Sequence, residues 1–454
     1  MRLHSDSLPD MAVPSHNPQR TVSVSTLGCK LNQYESEAIL AQFRQAGYAI
    51  TDSVEAADVC VVNTCAVTAI AERKARSMLR SLHRKNPQAA LLAVGCMAER
   101  SSAALVQIDG VNAVLGNREK EHILDFLPSA SQTEAEVHIG ETERAESFFG
   151  EGLAVEGLLG RTRAFLKVQD GCSQKCTYCI IPQLRGRGRS LEIPKVVEQA
   201  QQLADHGFAE IVITGVALGT YGGDLGLEDG MAKLLAALES VKGVQRIRLG
   251  SIEPWAVTDR FLKTVANSSV ICPHLHIPLQ SAEDFILHRM NRRYTVAEIE
   301  WIFEQAFALR SDWGFGSDII VGFPGETEEH FGRTREFLAH SPIAYLHVFP
   351  YSSRPGTPAT RLPGSVPDSD KHERVDALKT VDSALRLQFR NKFLNTTQRV
   401  LFEKRRHGDL LAGHAANYLD VYADVPESVA GSVVDMMITS LHSDGVVGEL
   451  VNQG

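Results

Sequence analysis

Gly171-Cys172-Ser173-Gln174-Lys175-Cys176-Thr177-Tyr178-Cys179 sets three thiols at intervals of four and three residues. One irregular loop can wrap ligands so spaced around a single small inorganic centre. A zinc site built from sequence-local ligands calls for a fourth nearby Cys or His, and Ile180-Ile181-Pro182-Gln183-Leu184-Arg185 supplies none. Three thiolates alone suit an iron–sulfur cube with one iron left open; a structural zinc knuckle and a disulfide pair are the alternatives.

Outward from this loop, Ala164–Gln169 reads as the strand that delivers it. Further strands are expected at Glu210–Thr214, Val244–Leu249, His274–Ile277, Ser317–Val321 and Ala344–Phe349, with helical stretches between them such as Pro194–His206. Six strand–helix units imply an open, partial (β/α) barrel, since a complete one needs about eight. In parallel α/β architecture the carboxyl ends of all strands share one face, where ligands bind.

The same grammar runs through the first third of the chain. Val22–Thr26 leads into Gly28-Cys29, Ala57–Asn63 into Thr64-Cys65, and Ala90–Val94 into Gly95-Cys96, with helices expected after the first two at Asn32–Phe43 and Thr68–Lys85. Cys29, Cys65 and Cys96 should therefore converge on one sheet edge as a second three-thiol site; three unrelated core cysteines are the alternative. Cys60 falls mid-strand and Cys272 lacks a thiol partner, so both are expected to be packing residues.

The cysteine loop, followed by Thr177-Tyr178-Cys179-Ile180-Ile181-Pro182 and Arg185-Gly186-Arg187-Gly188-Arg189, resembles the radical S-adenosylmethionine (SAM) superfamily and, within it, the methylthiotransferase family. Thr26–Ser36, Val62-Asn63-Thr64-Cys65 and Val94-Gly95-Cys96-Met97-Ala98 are similar to the three motifs of that family's amino-terminal domain. The resemblance implies two [4Fe–4S] clusters, each with an open iron: one on Cys172, Cys176 and Cys179 that cleaves SAM, and one on Cys29, Cys65 and Cys96 that carries sulfur. It also implies SAM contacts from Tyr178, Thr214, Gly215, Ser251, Glu253, Gln280 and Pro350. After Gln280-Ser281 the family's Gly–Ser–Asp-like turn is replaced by Ala282-Glu283-Asp284.

The implied organisation is a disordered leader (1–19), in which Met11 is a second candidate start, an α/β methylthiotransferase domain with a parallel sheet (20–128), an acidic linker (129–160), a radical SAM core (161–390) and a small antiparallel β-barrel (391–454). That last segment has short strands joined by polar turns and resembles the RNA-binding TRAM domain, with Lys404-Arg405-Arg406-His407 for phosphates and Tyr418 and Tyr422 for stacking on bases. A long helix, Ser369–Leu394, precedes it.

Composition bounds the function. With 46 Lys and Arg against 55 Asp and Glu, the net charge of −9 excludes a general nucleic-acid coat, so RNA contact must use local basic patches. Eight cysteines in 454 residues without short-range pairing argue for a reducing, cytoplasmic setting, and no apolar run has the length of a membrane span.

The family implies a tRNA substrate, modified at carbon 2 of an adenosine beside the anticodon, and a flavodoxin- or ferredoxin-like electron donor; the sulfur donor is not legible. Gly28-Cys29-Lys30-Leu31-Asn32-Gln33 is similar to the branch acting on N6-threonylcarbamoyladenosine, with Lys30 placed to meet the threonyl carboxylate. Branches acting on isopentenyladenosine or on a ribosomal protein usually carry Gln or Pro at that position. A zinc-bearing RNA-binding protein is the reading from outside enzymology.

Overall fold

The structure, a computed structural model, describes residues 19–129, 132, 134–141, 148–151 and 162–451. The expected disordered leader and second start at Met11 lie outside the described residues, apart from Gln19.

Six parallel strands form the first sheet in the order β2-β1-β3-β4-β5-β6: β1 (Thr21–Thr26), β2 (Ala49–Ile50), β3 (Val59–Thr64), β4 (Ala90–Gly95), β5 (Val111–Leu115) and β6 (Glu136–His138). β3 is buried along its whole length, as its apolar run requires of a central parallel strand. Helices α1 (Lys30–Gln45), α2 (Ala69–Lys85) and α3 (Cys96–Leu105) follow β1, β3 and β4. Thr68 starts α2 by accepting a hydrogen bond from the Ala71 amide. β6 falls inside the stretch expected to be a linker and extends the sheet along β5.

β7 (Arg163–Lys167) begins the second body, and a short antiparallel ribbon, β8 (Gln169–Asp170) with β9 (Arg189–Ser190), brackets the cysteine loop and α4 (Ile181–Arg185). The barrel strands are β7, β10 (Glu210–Thr214), β11 (Arg246–Leu249), β12 (His274–His276), β13 (Gly314–Val321) and β14 (Tyr345–Pro350). They form two parallel triplets, β7-β10-β11 and β12-β13-β14, joined by single bridges at Ile247–Ile271 and Ser251–His276. The result is the expected six-stranded open barrel. Between its strands run α5 (Ile193–Asp205), α6 (Gly230–Leu238), α7 (Asp259–Asn267), α8 (Asp284–Arg289), α9 (Val296–Leu309) and α10 (Glu328–His340).

Alternation along these strands divides their side chains. Ile211, Ile213, Ile247, Leu249, Leu275, Phe315, Ile319 and Leu346 join the apolar core under the helices. Their neighbours on the opposite face, including Glu210, Arg248, His274, His276 and Asp318, line the interior of the barrel. The open side lies between β7 and β14, and α1 of the first body packs against β7 there.

α11 (Asp368–Asn391) leads to a closed five-stranded barrel, β15 (Thr397–His407), β16 (Leu410–Ala415), β17 (Asp420–Ala423), β18 (Val433–Leu441) and β19 (Val446–Leu450). It closes through a parallel β17–β19 pair, so it is antiparallel in every pairing but that one. Its docking surface is the amino-terminal end of the larger barrel. Arg246 and Arg248 donate to the carbonyls of His414 and Ala416 at 2.8 and 2.9 Å, and Arg163 pairs with Glu403 at 2.7 Å.

Candidate active site

β1, β3 and β4 are direct neighbours in register, so the turns at their carboxyl ends bring together residues far apart in the chain. Cys29 caps the start of α1 in extended geometry, Cys65 follows β3 by one residue, and Cys96 opens α3. Cys65 and Cys96 are buried while Cys29 is exposed. Gly28 has φ +110°, and a Cβ there would lie 2.8 Å from the Cys65 Cβ and 3.1 Å from its Sγ, so only glycine lets the two turns meet. Gly95, before Cys96, has φ +98°, and a Cβ would meet the Asn63 Oδ1 at 2.7 Å. Burial first, and then the charges of Cys96 and Cys29, push the Cys65 thiol up to about 11. The three sulfurs thus sense one another, and a metal's charge is what would make them thiolates together.

The second triplet sits on the loop after β8. Its backbone is held by Cys172 N–H to the Gly186 carbonyl (3.0 Å), Cys179 N–H to Cys176 O (3.1 Å) and Thr177 N–H to Met290 O (3.0 Å). Arg292 donates to the Cys176 Sγ at 3.4 Å. Burial pushes Cys172 up to about 11 and Cys179 up to about 12, with the neighbouring thiols of the loop adding to both.

Three thiolates on one zinc ion would stand about 3.8 Å apart, given tetrahedral geometry and Zn–S bonds of about 2.3 Å. Among the described residues, the groups whose three ligand atoms lie within 4.8 Å of one another are His276/Asp318/His347 and His407/His442/Asp444. Neither cysteine triplet is that tight.

The other expected site residues occupy carboxyl ends of barrel strands. The Glu253 Oε2 accepts from the Gly219 amide at 2.8 Å, and Glu253 lies within electrostatic reach of Cys172 and Arg292. The Tyr178 hydroxyl is in the same field as Arg292, Cys176 and Cys179. Thr214 ends β10, and the tight turn at Gly215 packs on Gln169, whose Oε1 accepts from the amides of Val216 and Ala217. Ser251 bridges to His276, and Gln280 adopts φ +67° beside Ile319. Pro350 ends β14 opposite Val321, with no contact to either cysteine triplet among those described. In the divergent turn, Glu283 caps α8 by accepting from the Ile286 amide and pairs with Arg333. Cys60 and Cys272 are buried packing residues, as expected.

Several residues at the site carry no signal when read singly. Asn117 donates to the Cys96 Sγ (3.8 Å) and to the Leu184 carbonyl (2.8 Å) just beyond the second triplet. Ile180 and Leu184 belong to the same apolar cluster as Cys96 and Met97. Arg185 carries charge between the triplets: it bonds Glu35, Asp170 and Asn32, and Cys96 and Cys65 both feel its field. Cys96 of the first triplet and the helix that follows the second therefore share one buried boundary.

Inside the barrel, Asp318 accepts from His276 Nε2 (2.9 Å) and His347 Nδ1 (3.2 Å). Burial alone would raise Asp318, but these two hydrogen bonds hold it well below the carboxylate range. Tyr418 of the C-terminal barrel stacks on His274 at 4.6 Å and on His414 at 5.1 Å, closing the lower end. Tyr422 is buried between His407 and His442. Neither tyrosine is free to stack on bases, contrary to the expectation from sequence: Tyr418 stacks on two imidazoles, and Tyr422 is buried against two tilted ones.

Comparison with known proteins agrees with this geometry. The family described as Uncharacterized protein family UPF0004 matches residues 21–116, and the Radical SAM superfamily matches residues 166–338. Threonylcarbamoyladenosine tRNA methylthiotransferase MtaB of Bacillus subtilis is 38% identical over 426 residues, covering 92% of this chain and 93% of the relative. The MtaB of Aquifex aeolicus is 38% identical over 421 residues, covering 92% and 100%. A tRNA-2-methylthio-N(6)-dimethylallyladenosine synthase from Pelotomaculum thermopropionicum is 30% identical over 439 residues, covering 94% and 97%. Among solved structures, the radical SAM methyltransferase TsrM of Kitasatospora setae aligns with a TM-score of 0.55 at 14% identity, over 75% of this chain and 77% of that one, a likeness of fold.

Proposed function

We propose that this chain, which belongs to the threonylcarbamoyladenosine tRNA methylthiotransferase family of radical SAM enzymes, adds a methylthio group to carbon 2 of that nucleoside in tRNA. SAM and [4Fe–4S] clusters are its cofactors. The observation that supports the reading is Asn117, which joins Cys96 of one triplet to the Leu184 carbonyl of the helix that follows the other. An aromatic C–H bond has no useful acidity, so side-chain acids and bases cannot replace it by C–S. The reaction needs a radical made at one centre and sulfur presented at a second within reach.

Cys172, Cys176 and Cys179 would hold one cluster and Cys29, Cys65 and Cys96 the other. When bound, such clusters supply the electron that cleaves SAM and an iron that holds the sulfur to be transferred. The chain's own groups fix the stage. Arg292 directs a charged donor at Cys176, which offsets thiolate charge. Glu253, from the loop after β11, and Gln169 both order the turn after β10, beside which SAM is to lie. Buried Ile180 and Leu184 keep water from the boundary between the triplets.

Lys404, Arg405 and Arg406 are exposed at the end of β15, and Arg73, Lys74, Arg80 and Arg84 are exposed on α2. In a chain of net charge −9 these are the patches suited to RNA phosphates. A flavodoxin- or ferredoxin-like protein is the proposed electron donor and the cytoplasm the proposed location; no described helix is long and apolar enough to cross a membrane.

The test is turnover of anaerobically reconstituted protein with SAM, a reductant and tRNA bearing either threonylcarbamoyladenosine or isopentenyladenosine, read by nucleoside mass spectrometry. The expected product is the methylthio form of the threonylcarbamoyl nucleoside alone. Conversion of the isopentenyl nucleoside instead, or of a ribosomal protein with tRNA ignored, would overturn the assignment.

A further inference from the structure

Lys30 is rooted one residue from Cys29, yet the groups whose charges it feels belong to the interior of the other body: Arg163 on β7, Glu210 on β10, Arg248 on β11 and Asp318 on β13. His274 on β12 feels it in turn. A side chain coupled to charges on these five strands is directed toward the barrel interior, and its helix α1 packs on β7 at the open side. Lys30 is itself exposed, so it stands where this polar chamber opens to solvent and not in packed core.

The other charges of this chamber are already matched. Arg248 binds Glu210 at 2.8 Å, Arg163 pairs with Glu403, and Asp318 is held by His276 and His347. Among the described residues Lys30 makes no ion pair or hydrogen bond. Of these charges the Lys30 ammonium is the one left without a counter-ion, held in solvent and available to an incoming anion. The His276/Asp318/His347 group could be read as a cation site, but the Lys30 ammonium and the Arg248 guanidinium nearby oppose a second positive charge.

Resting on the proposed substrate, we infer that Lys30 is the counter-ion of the threonyl carboxylate and thereby selects this nucleoside over those with uncharged N6 substituents. In adenine the N6 substituent and carbon 2 flank the same ring nitrogen. A side chain rooted beside Cys29 can therefore hold the substituent while carbon 2 faces the sulfur-carrying site. Lys30 is a specificity residue, and its contact is with the part of the substrate that does not react.

The experiment measures the affinity of the reconstituted full-length protein for three anticodon stem-loop RNAs of one sequence: with threonylcarbamoyladenosine, with its carboxamide analogue, and with unmodified adenosine. The native protein is expected to bind the acid at least about tenfold more tightly than the amide, as loss of a charge-assisted pair implies. Lys30→Met is expected to bind acid and amide alike, and Lys30→Arg to restore most of the preference. If Lys30→Met fails to load iron, the acid-to-amide ratio of the native protein decides alone. Equal binding of acid and amide by native protein that methylthiolates the threonylcarbamoyl RNA would overturn the inference and leave the proposed function standing. Methylthiolation of isopentenyladenosine RNA only would overturn the function itself.

Discussion

Arg185 and Glu35, 150 positions apart, form a two-point ion pair across the boundary between the first sheet and the barrel, with Nη1–Oε1 2.7 Å and Nη2–Oε2 3.0 Å. Lys120 (2.6 Å) and Lys167 (3.4 Å) complete the shell of the same buried carboxylate. Burial would raise Glu35, but these three cations, Arg185 foremost, hold it well below the carboxylate range. Glu35→Gln leaves three buried cations short of a counter-charge, a loss of about 3–5 kcal/mol by comparison with other broken buried pairs. Thermal melting should show the Glu35→Gln protein unfolding at clearly lower temperature, with the first sheet separating from the barrel under limited proteolysis.

Asn117 should tune one cysteine site and not the other. It touches Cys96 but none of the loop cysteines, and outer-shell partners of metal ligands commonly contribute about 10–100-fold to metal retention. Asn117→Ala is expected to release iron from the Cys29/Cys65/Cys96 site about tenfold faster under chelator challenge. SAM cleavage without tRNA, which the proposed function assigns to the other triplet, should persist. Equal loss at both sites would contradict this division.

Glu210 joins the two barrels through pH-sensitive charge. Burial opposes its ionisation, yet Arg248, Arg163 and Arg246 lower it to about 2 from an ordinary 4.5. Because the folded value is depressed, its stabilisation is fully present above about pH 4.5 and is lost as pH falls toward 2. The difference in melting temperature between native protein and Glu210→Gln should therefore be large at pH 7 and shrink steadily below pH 4.5. A difference independent of pH would place the effect in packing and not in charge.

Lys404, Arg405 and Arg406 should act on RNA without choosing its sequence. Each phosphate contact to single-stranded RNA contributes about 0.7 to the slope of log affinity against log salt. Replacing all three by alanine is expected to lower that slope by about 2 and to weaken tRNA binding, leaving the preference for the modified adenosine intact. An unchanged slope would move the RNA surface elsewhere, with exposed Arg73 and Arg80 of α2 the next to test.

Much of this site was legible because its signals are local. Each of Cys29, Cys65 and Cys96 ends an apolar run, and parallel connectivity forces such ends onto one edge. The loop at Cys172 is readable from spacing alone. The rest depends on distant partners: Glu35 lies inside one of the amino-terminal motifs, but nothing local says that Arg185 will meet it. Asn117 likewise gains meaning only when α4 arrives beside it.

The polar interior of the barrel is legible in the alternation of its strands. Arg246-Ile247-Arg248-Leu249 and His274-Leu275-His276 alternate charged or imidazole groups with apolar ones, which is the period of a strand with one polar face. That signal points to a polar, buried lumen. Tyr418 misled for the opposite reason: an aromatic near a basic turn reads as an RNA platform until the fold brings His274 from 144 positions away to cover it. The short strand β6, within an acidic stretch, exists because β5 offers it an edge.

Iron analysis of anaerobically reconstituted protein tests the central claim most directly. Two [4Fe–4S] clusters give about eight irons per native chain, and about four in each of two variants, one with Cys29, Cys65 and Cys96 changed to serine and one with Cys172, Cys176 and Cys179 so changed. About four irons in the native protein, with none lost from one of the two variants, would contradict the account.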